Sequence, residues 1–142
     1  MQPPGRLSLY LADLSRAHAT RIAIPNDAGR PPTELDELGL NRDGRYLAFT
    51  TWYEREETRW QRLTLYDRLT RRLTSPLGKP LASVHGLSLS ADGRYLAFAS
   101  DRPDLVPGDT NRTQDIFVYD RVRKKTQRVS VDGRGRQAEL EK

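Results

Sequence analysis

The sequence predicts an all-β chain built from a repeated unit of antiparallel strands. Three observations carry this. The heptad Asp-Gly-Arg-Tyr-Leu-Ala-Phe occurs twice, at Asp43–Phe49 and Asp92–Phe98, 49 residues apart. Short runs of β-branched, aromatic and aliphatic residues recur between Gly-, Asp- and Pro-bearing turns, as strands do. No segment sustains the 3.6-residue apolar period of a helix.

The repeat extends beyond the heptad. Leu38–Thr51 matches Leu87–Ser100, and Leu63–Arg68 matches Ile116–Arg121 with Asp67 on Asp120. A partial copy opens the chain: Leu9–Ile24 matches Ile116–Val131, placing Asp13 on Asp120, Ile22 on Val129 and Ile24 on Val131. Residues 7–25 are therefore expected to form the outer two strands of a first unit. A complete unit follows over 34–78 and another over 83–131, and 132–142 begins a further unit or a tail.

Within a unit each element has a physical reason. Asp-Gly between apolar stretches signals a hairpin, because glycine accepts a positive φ without a Cβ clash. Leu38–Leu40 and Tyr46–Phe49 are then paired strands, as are Leu87–Leu89 and Tyr95–Phe98. Leu47 and Phe49 point one way, Tyr46 and Ala48 the other, so apolar groups on both faces predict burial between stacked sheets. Ile116–Tyr119 reads as a third strand, and Asp120 opens a turn by accepting backbone N–H groups. Thr126–Val131 alternates strictly and reads as a fourth strand. Thr33–Leu40 reads as the approach to a strand, and Tyr53–Arg62 as a projecting loop. Four antiparallel strands in about 45–50 residues are the content of a β-propeller blade, so the chain holds about two and a half blades.

The run from Leu89 to Arg121, with its hairpin Ser-x-Asp-Gly-x-x-Leu-Ala-Phe-x-Ser and its later Asp-Ile-Phe-Val-x-Asp, resembles the repeat of TolB-like, WD-related bacterial propellers. The likeness spans nearly all of 34–131. It implies a non-catalytic recognition or scaffold module, periplasmic or extracellular in a bacterium, or a piece of the propeller that gates a serine peptidase. Two and a half blades leave open edges and apolar faces, which predicts either a longer propeller or a homo-oligomer that completes the ring.

Composition excludes several classes. There is no cysteine, hence no disulfide, zinc–thiolate site or cysteine nucleophile. No run of about 18 apolar residues is present, so no membrane-spanning helix is expected. The opening stretch carries one basic residue before a short, interrupted apolar segment and makes a poor secretory signal. No phosphate-binding or dinucleotide fingerprint appears, and Gly86–Ser90 lacks the closing glycine of a nucleophile elbow. No enzymatic activity is expected.

Candidate site residues fall in three places. Ser100–Asp115 is four residues longer than its counterpart Thr51–Arg62 and carries Asp101, Asp104, Asp109, Asn111 and Asp115. Carboxylate and amide oxygens on a flexible loop suit a hard cation, so Asp101, Asp109, Asn111 and Asp115 are candidate calcium ligands. Without a metal, the same residues would cap tight turns. Arg123, Lys124 and Lys125 lie in a basic cluster that could meet an anionic partner, or could keep an exposed strand edge solvated. No aromatic series accompanies them, so nucleic acid is disfavoured despite a net charge of +5. Trp52 and Trp60 are candidate anchors for a protein partner. His18 and His85 stand alone. Asp43 and Asp92, each preceding a hairpin glycine, read as turn residues.

Overall fold

A computed structural model describes residues 7–78, 80, 83–109 and 113–137. The described chain is all-β, with ten strands: β1 (Leu9–Asp13), β2 (His18–Ile22), β3 (Glu34–Leu40), β4 (Tyr46–Arg55), β5 (Thr58–Asp67), β6 (Arg72–Thr74), β7 (His85–Leu89), β8 (Tyr95–Ser100), β9 (Asp115–Asp120) and β10 (Lys125–Arg128). They form three antiparallel sheets in chain order: β1-β2, then β3-β4-β5-β6, then β7-β8-β9-β10. The three sheets amount to about two and a half blades of a propeller, one of two strands and two of four.

The sheets stack with one apolar layer in each gap. Leu9 and Ile22 of the first sheet pack with Leu47, Phe49 and Tyr66 of the second. Ala48, Leu63 and Leu65 on the opposite face of the second sheet pack with Leu96, Phe98, Phe117 and Tyr119 of the third. The alternation of Tyr46–Phe49 thus serves two cores at once. Burying each Leu or Phe there is worth about 1.5–3 kcal/mol.

The hairpin turns recur in detail. Asn41 and Tyr46 close the first, with Asn41 N donating to Tyr46 O and Gly44 N to Asn41 O. Ser90, Tyr95 and Gly93 repeat these bonds. The glycines have φ +69° and +71°, and the Asn41 and Ser90 side chains each accept from the N–H of the closing tyrosine. A register shift also recurs, between Leu35 and Leu38 in β3 and between His85 and Ser88 in β7.

Two expectations change. Tyr53–Arg62 is not a projecting loop: β4 and β5 continue through it, in register from Tyr46↔Asp67 to Arg55↔Thr58. Tyr53 is buried and stacks on Trp60 at 5.9 Å, while Glu54 and Arg59 pair across the strands, so one face has a core and the other a charge pair. The fourth strand of the last sheet ends at Arg128 rather than Val131. Val129 N still donates to Ile116 O, but the Ser130 hydroxyl then takes the Ile116 N–H and donates to Asp115 at 2.6 Å, displacing the ladder.

Candidate interaction surfaces

Each complete sheet is tied internally by an arginine–aspartate clamp. Arg45, just after the hairpin glycine, donates from Nε and Nη2 to the two oxygens of Asp67, at 3.1 and 3.0 Å. Arg94 does the same to Asp120, at 3.2 and 2.9 Å. Such bidentate, charge-assisted pairs are the strong class of polar contact. The same carboxylates cap the following turn: Asp67 accepts from Leu69 N, and Asp120 from Val122 N and Arg123 N. The Arg94 guanidinium leads in holding the Asp120 carboxyl down to about 2, and Arg45 holds Asp67 below its ordinary value. Sequence reading found the turn role of Asp120 but missed its partner. The signal was there, in an arginine that follows Asp-Gly in both repeats.

The second sheet grips the third through an apolar centre with a polar border. Tyr46 lies flat on the hairpin of the next sheet, where a Cβ on Gly93 would fall 2.1 Å from the ring. The Arg121 guanidinium covers the same ring at 4.1 Å, a cation–π contact. Asn41 Nδ2 donates to Ala91 O, Glu37 accepts from Gly86 N and Leu87 N, and Gln61 Oε1 accepts from Val84 N. Of these bonds the one to Gln61 is fully buried, and it matches the Val84 N–H as burial requires.

The third sheet carries the same kinds of residue on its own far face, and no neighbouring sheet among the described residues covers them; the Arg94 guanidinium alone lies over the Tyr95 ring, at 5.0 Å. Tyr46 is 6% exposed and its counterpart Tyr95 41%; Leu63 is 1% exposed and its counterpart Ile116 43%. Val129, also on this face, is 43% exposed, whereas its counterpart Ile22 in the first sheet is 2% exposed.

The long loop brings together only part of the expected calcium set. Asp109 and Asp115 are buried side by side, both accepting from Gln137 Nε2, at 3.0 and 3.1 Å. Arg128 Nη1 stands 4.0 and 3.9 Å from the two carboxylates and supplies the counter-charge. Asp109 Oδ2 and Arg128 Nε and Nη1 are buried with no hydrogen-bond partner among the described residues. Asp101 is exposed, Asp104 pairs with Arg102, and Asn111 lies outside the described residues. Among the described residues no three His, Cys, Asp or Glu side chains gather in a metal-sized group. Sequence spacing could not reveal Arg128 and Gln137, because they come from beyond the third strand.

The other candidates are dispersed. Trp60 packs on Tyr53 and donates to Asp27 Oδ2, which Arg62 also holds. Trp52 points to the opposite face, donating to Asp36 under the Arg59 guanidinium. The structure therefore does not join the two tryptophans in one patch. Arg123, Lys124 and Lys125 sit at the β9–β10 turn, with Lys124 at φ 52° and Arg123 4.0 Å from Asp120.

No protein-family model matches the chain, and no curated protein matches it. Solved structures do. The chain is similar to TolB from Acinetobacter baumannii, with 21% identity and a TM-score of 0.54 over 89% of this chain and 27% of that one. The fold is that of a TolB-like propeller. It is also similar to the tricorn protease, with 17% identity and a TM-score of 0.55, over 81% of this chain and 12% of the protease. The chain thus spans about a quarter or less of these neighbours' length. Among the described residues no helix is long and apolar enough to cross a membrane.

Proposed function

We propose that this chain is a non-catalytic propeller module that works by docking to another protein, with the far face of the third sheet as its contact. The observation that supports this is the exposure of Tyr95 and Ile116, whose counterparts in the second sheet are sealed by a neighbouring sheet. Exposed apolar side chains, in the register that a neighbouring sheet seals elsewhere in the stack, make an interaction surface by their chemistry. A second copy of the chain is the simplest cover, giving an oligomer that extends the stack. The likeness to TolB supports a location outside the bacterial cytoplasm.

The test is the native mass by light scattering, for the wild type and for Ile116→Lys. A discrete oligomer that Ile116→Lys reduces to a folded monomer is expected. A wild type of monomer mass at high concentration removes self-association. A second reading, a piece of a peptidase's gating propeller, is supported by the fold likeness to the tricorn protease alone. It predicts that peptidase activity belongs to a longer product of the same gene.

A further inference from the structure

The gap between the second and third sheets opens, beside the β9–β10 turn, into a cleft of about 490 Å³. That volume falls within the range of small-molecule sites. Tyr46, Leu65 and Tyr119 form its buried wall. Its rim carries Arg72 of β6, with Arg121 and Lys124 of the β9–β10 turn.

Two observations set this cleft apart. The first is charge. Arg123 reaches Asp120 at 4.0 Å, but Arg72, Arg121 and Lys124 have no ion-pair partner among the described residues. Asp67, the one carboxylate among the described lining residues, is already held by both arms of the Arg45 fork. The cleft therefore gathers three unneutralised cations from two sheets. The second observation is polar. Tyr46 and Tyr119 are 6% and 7% exposed, yet neither hydroxyl has a hydrogen-bond partner among the described residues. A buried tyrosine hydroxyl ordinarily has one. Burial raises the Tyr119 hydroxyl above its ordinary value, so at neutral pH it keeps its proton and is a donor.

We propose that this cleft binds a phosphate monoester with a planar apolar body. Unmet donors and unneutralised cations on one wall call for an oxygen anion. A phosphate dianion answers several cations better than a carboxylate does, and the arginine fork fits its oxygens. Arg121 is set in place beforehand: its Nε donates to Gly93 O at 3.0 Å, and its plane lies on the Tyr46 ring. Little side-chain freedom is then lost on binding. The planar body packs against Leu65 and the Tyr119 ring. The first gap has matching turn cations in Arg68 and Arg71, but no tyrosine lines its cleft among the described residues, so the selectivity for a ring belongs to the second gap. The cleft lies on the near face of the third sheet and does not depend on docking at the far face.

Isothermal titration calorimetry of the full chain with phenyl phosphate, inorganic phosphate and phenol tests the site. Saturable binding of phenyl phosphate is expected, about 10-fold tighter than of either half alone. Lys124→Asn removes the charge and keeps a residue that accepts the left-handed turn, so it should weaken binding about 10-fold. Arg72→Gln should do the same, and it carries the test if the turn variant fails to fold. Tyr119→Phe, which keeps the ring and loses the hydroxyl, should weaken binding roughly 5-fold. Arg71→Asn, the matched change in the first gap, should leave binding unchanged. Melting curves without ligand identify the folded variants. Lack of saturable phenyl phosphate binding overturns the proposal, as does equal binding to wild type, Arg72→Gln and Lys124→Asn. Inorganic phosphate that binds as tightly as phenyl phosphate also overturns it, since the site is then a surface for any anion. So does binding lost on Arg71→Asn and kept on Lys124→Asn, which places the ligand in the first gap.

Discussion

In the second sheet Tyr46, Ala48, Leu63 and Leu65 form a sealed surface against the next sheet; in the third, Tyr95, Ala97, Ile116 and Val118 occupy the same register but only the second set meets solvent. Residue type is nearly the same, and so is strand pairing. The difference is the neighbour. Burial in a stacked-sheet protein is a property of the pair of sheets, and a sequence motif records only the willingness of one face to be buried. The sheets also differ at their far edge. In the second, the Ser75 hydroxyl donates to Leu63 O; in the third, the corresponding position is Arg128, facing two buried carboxylates.

That edge gives the largest expected contrast. Arg128→Ala leaves Asp109 and Asp115 buried together without a counter-charge, and should cost about 3–5 kcal/mol. Ser75→Ala loses one hydrogen bond and should cost about 1 kcal/mol. Urea unfolding of both variants, with and without calcium, checks the pair. Calcium that restores Arg128→Ala but leaves the wild type unmoved would identify the arginine as the resident cation of this carboxylate pair. A wild-type melting temperature raised by calcium would show that the ion displaces it.

The apolar faces come next. Leu63→Ala opens a cavity in a packed gap and should destabilise by about 2–5 kcal/mol. Ile116→Ala, at the matched position, should cost well under half of that in a monomer. Equal losses would mean that the face of the third sheet is covered in solution, which is itself a reading of the assembly. The hairpin glycines should split in the same sense. Gly93→Ala and Gly44→Ala share the left-handed strain of about 1–2 kcal/mol, but only Gly93→Ala must also move an aromatic ring, adding about 1–3 kcal/mol of overpacking. Thermal melts of the two variants decide it.

Much of the fold was legible because the repeat states its own alignment. The heptad placed the inner hairpins, and two-sided apolar alternation at Tyr46–Phe49 placed a core on each side. The length of β4 and β5 was not legible, since Glu54-Arg55-Glu56-Glu57 reads as a solvated loop until Tyr53 is seen buried against Trp60 and held through its hydroxyl by Pro25 O. The early end of β10 was hidden for a similar reason: strict alternation continues to Val131, but a serine side chain can outcompete the backbone ladder. Of the candidate residues, Asp109 and Asp115 do converge. Their partners Arg128 and Gln137 stand 13 or more residues further along the chain, where spacing carries no information.

The smallest expected effect concerns what the two sheets share. The clamp is internal to a sheet, so its behaviour should not depend on neighbours. Asp120 is held down to about 2 chiefly by Arg94, and Asp67 is lowered chiefly by Arg45. A carboxylate depressed in the folded state contributes stability above its unfolded value of about 3.9, and that contribution is lost as pH falls through the folded value. Wild-type stability should therefore decline between about pH 4 and pH 2. Arg94→Gln removes the leading cause at Asp120, so it should lower stability at neutral pH and flatten the acid decline. Arg45→Gln should do the same through Asp67, by a similar amount, although the faces of the two sheets differ so much. Urea midpoints at several pH values between 5 and 2.5 measure both slopes. Parallel curves for wild type and Arg94→Gln would show that the clamp is formed but contributes no proton-linked stability. A flattened curve for Arg94→Gln alone would show that sheet packing reaches the clamp after all.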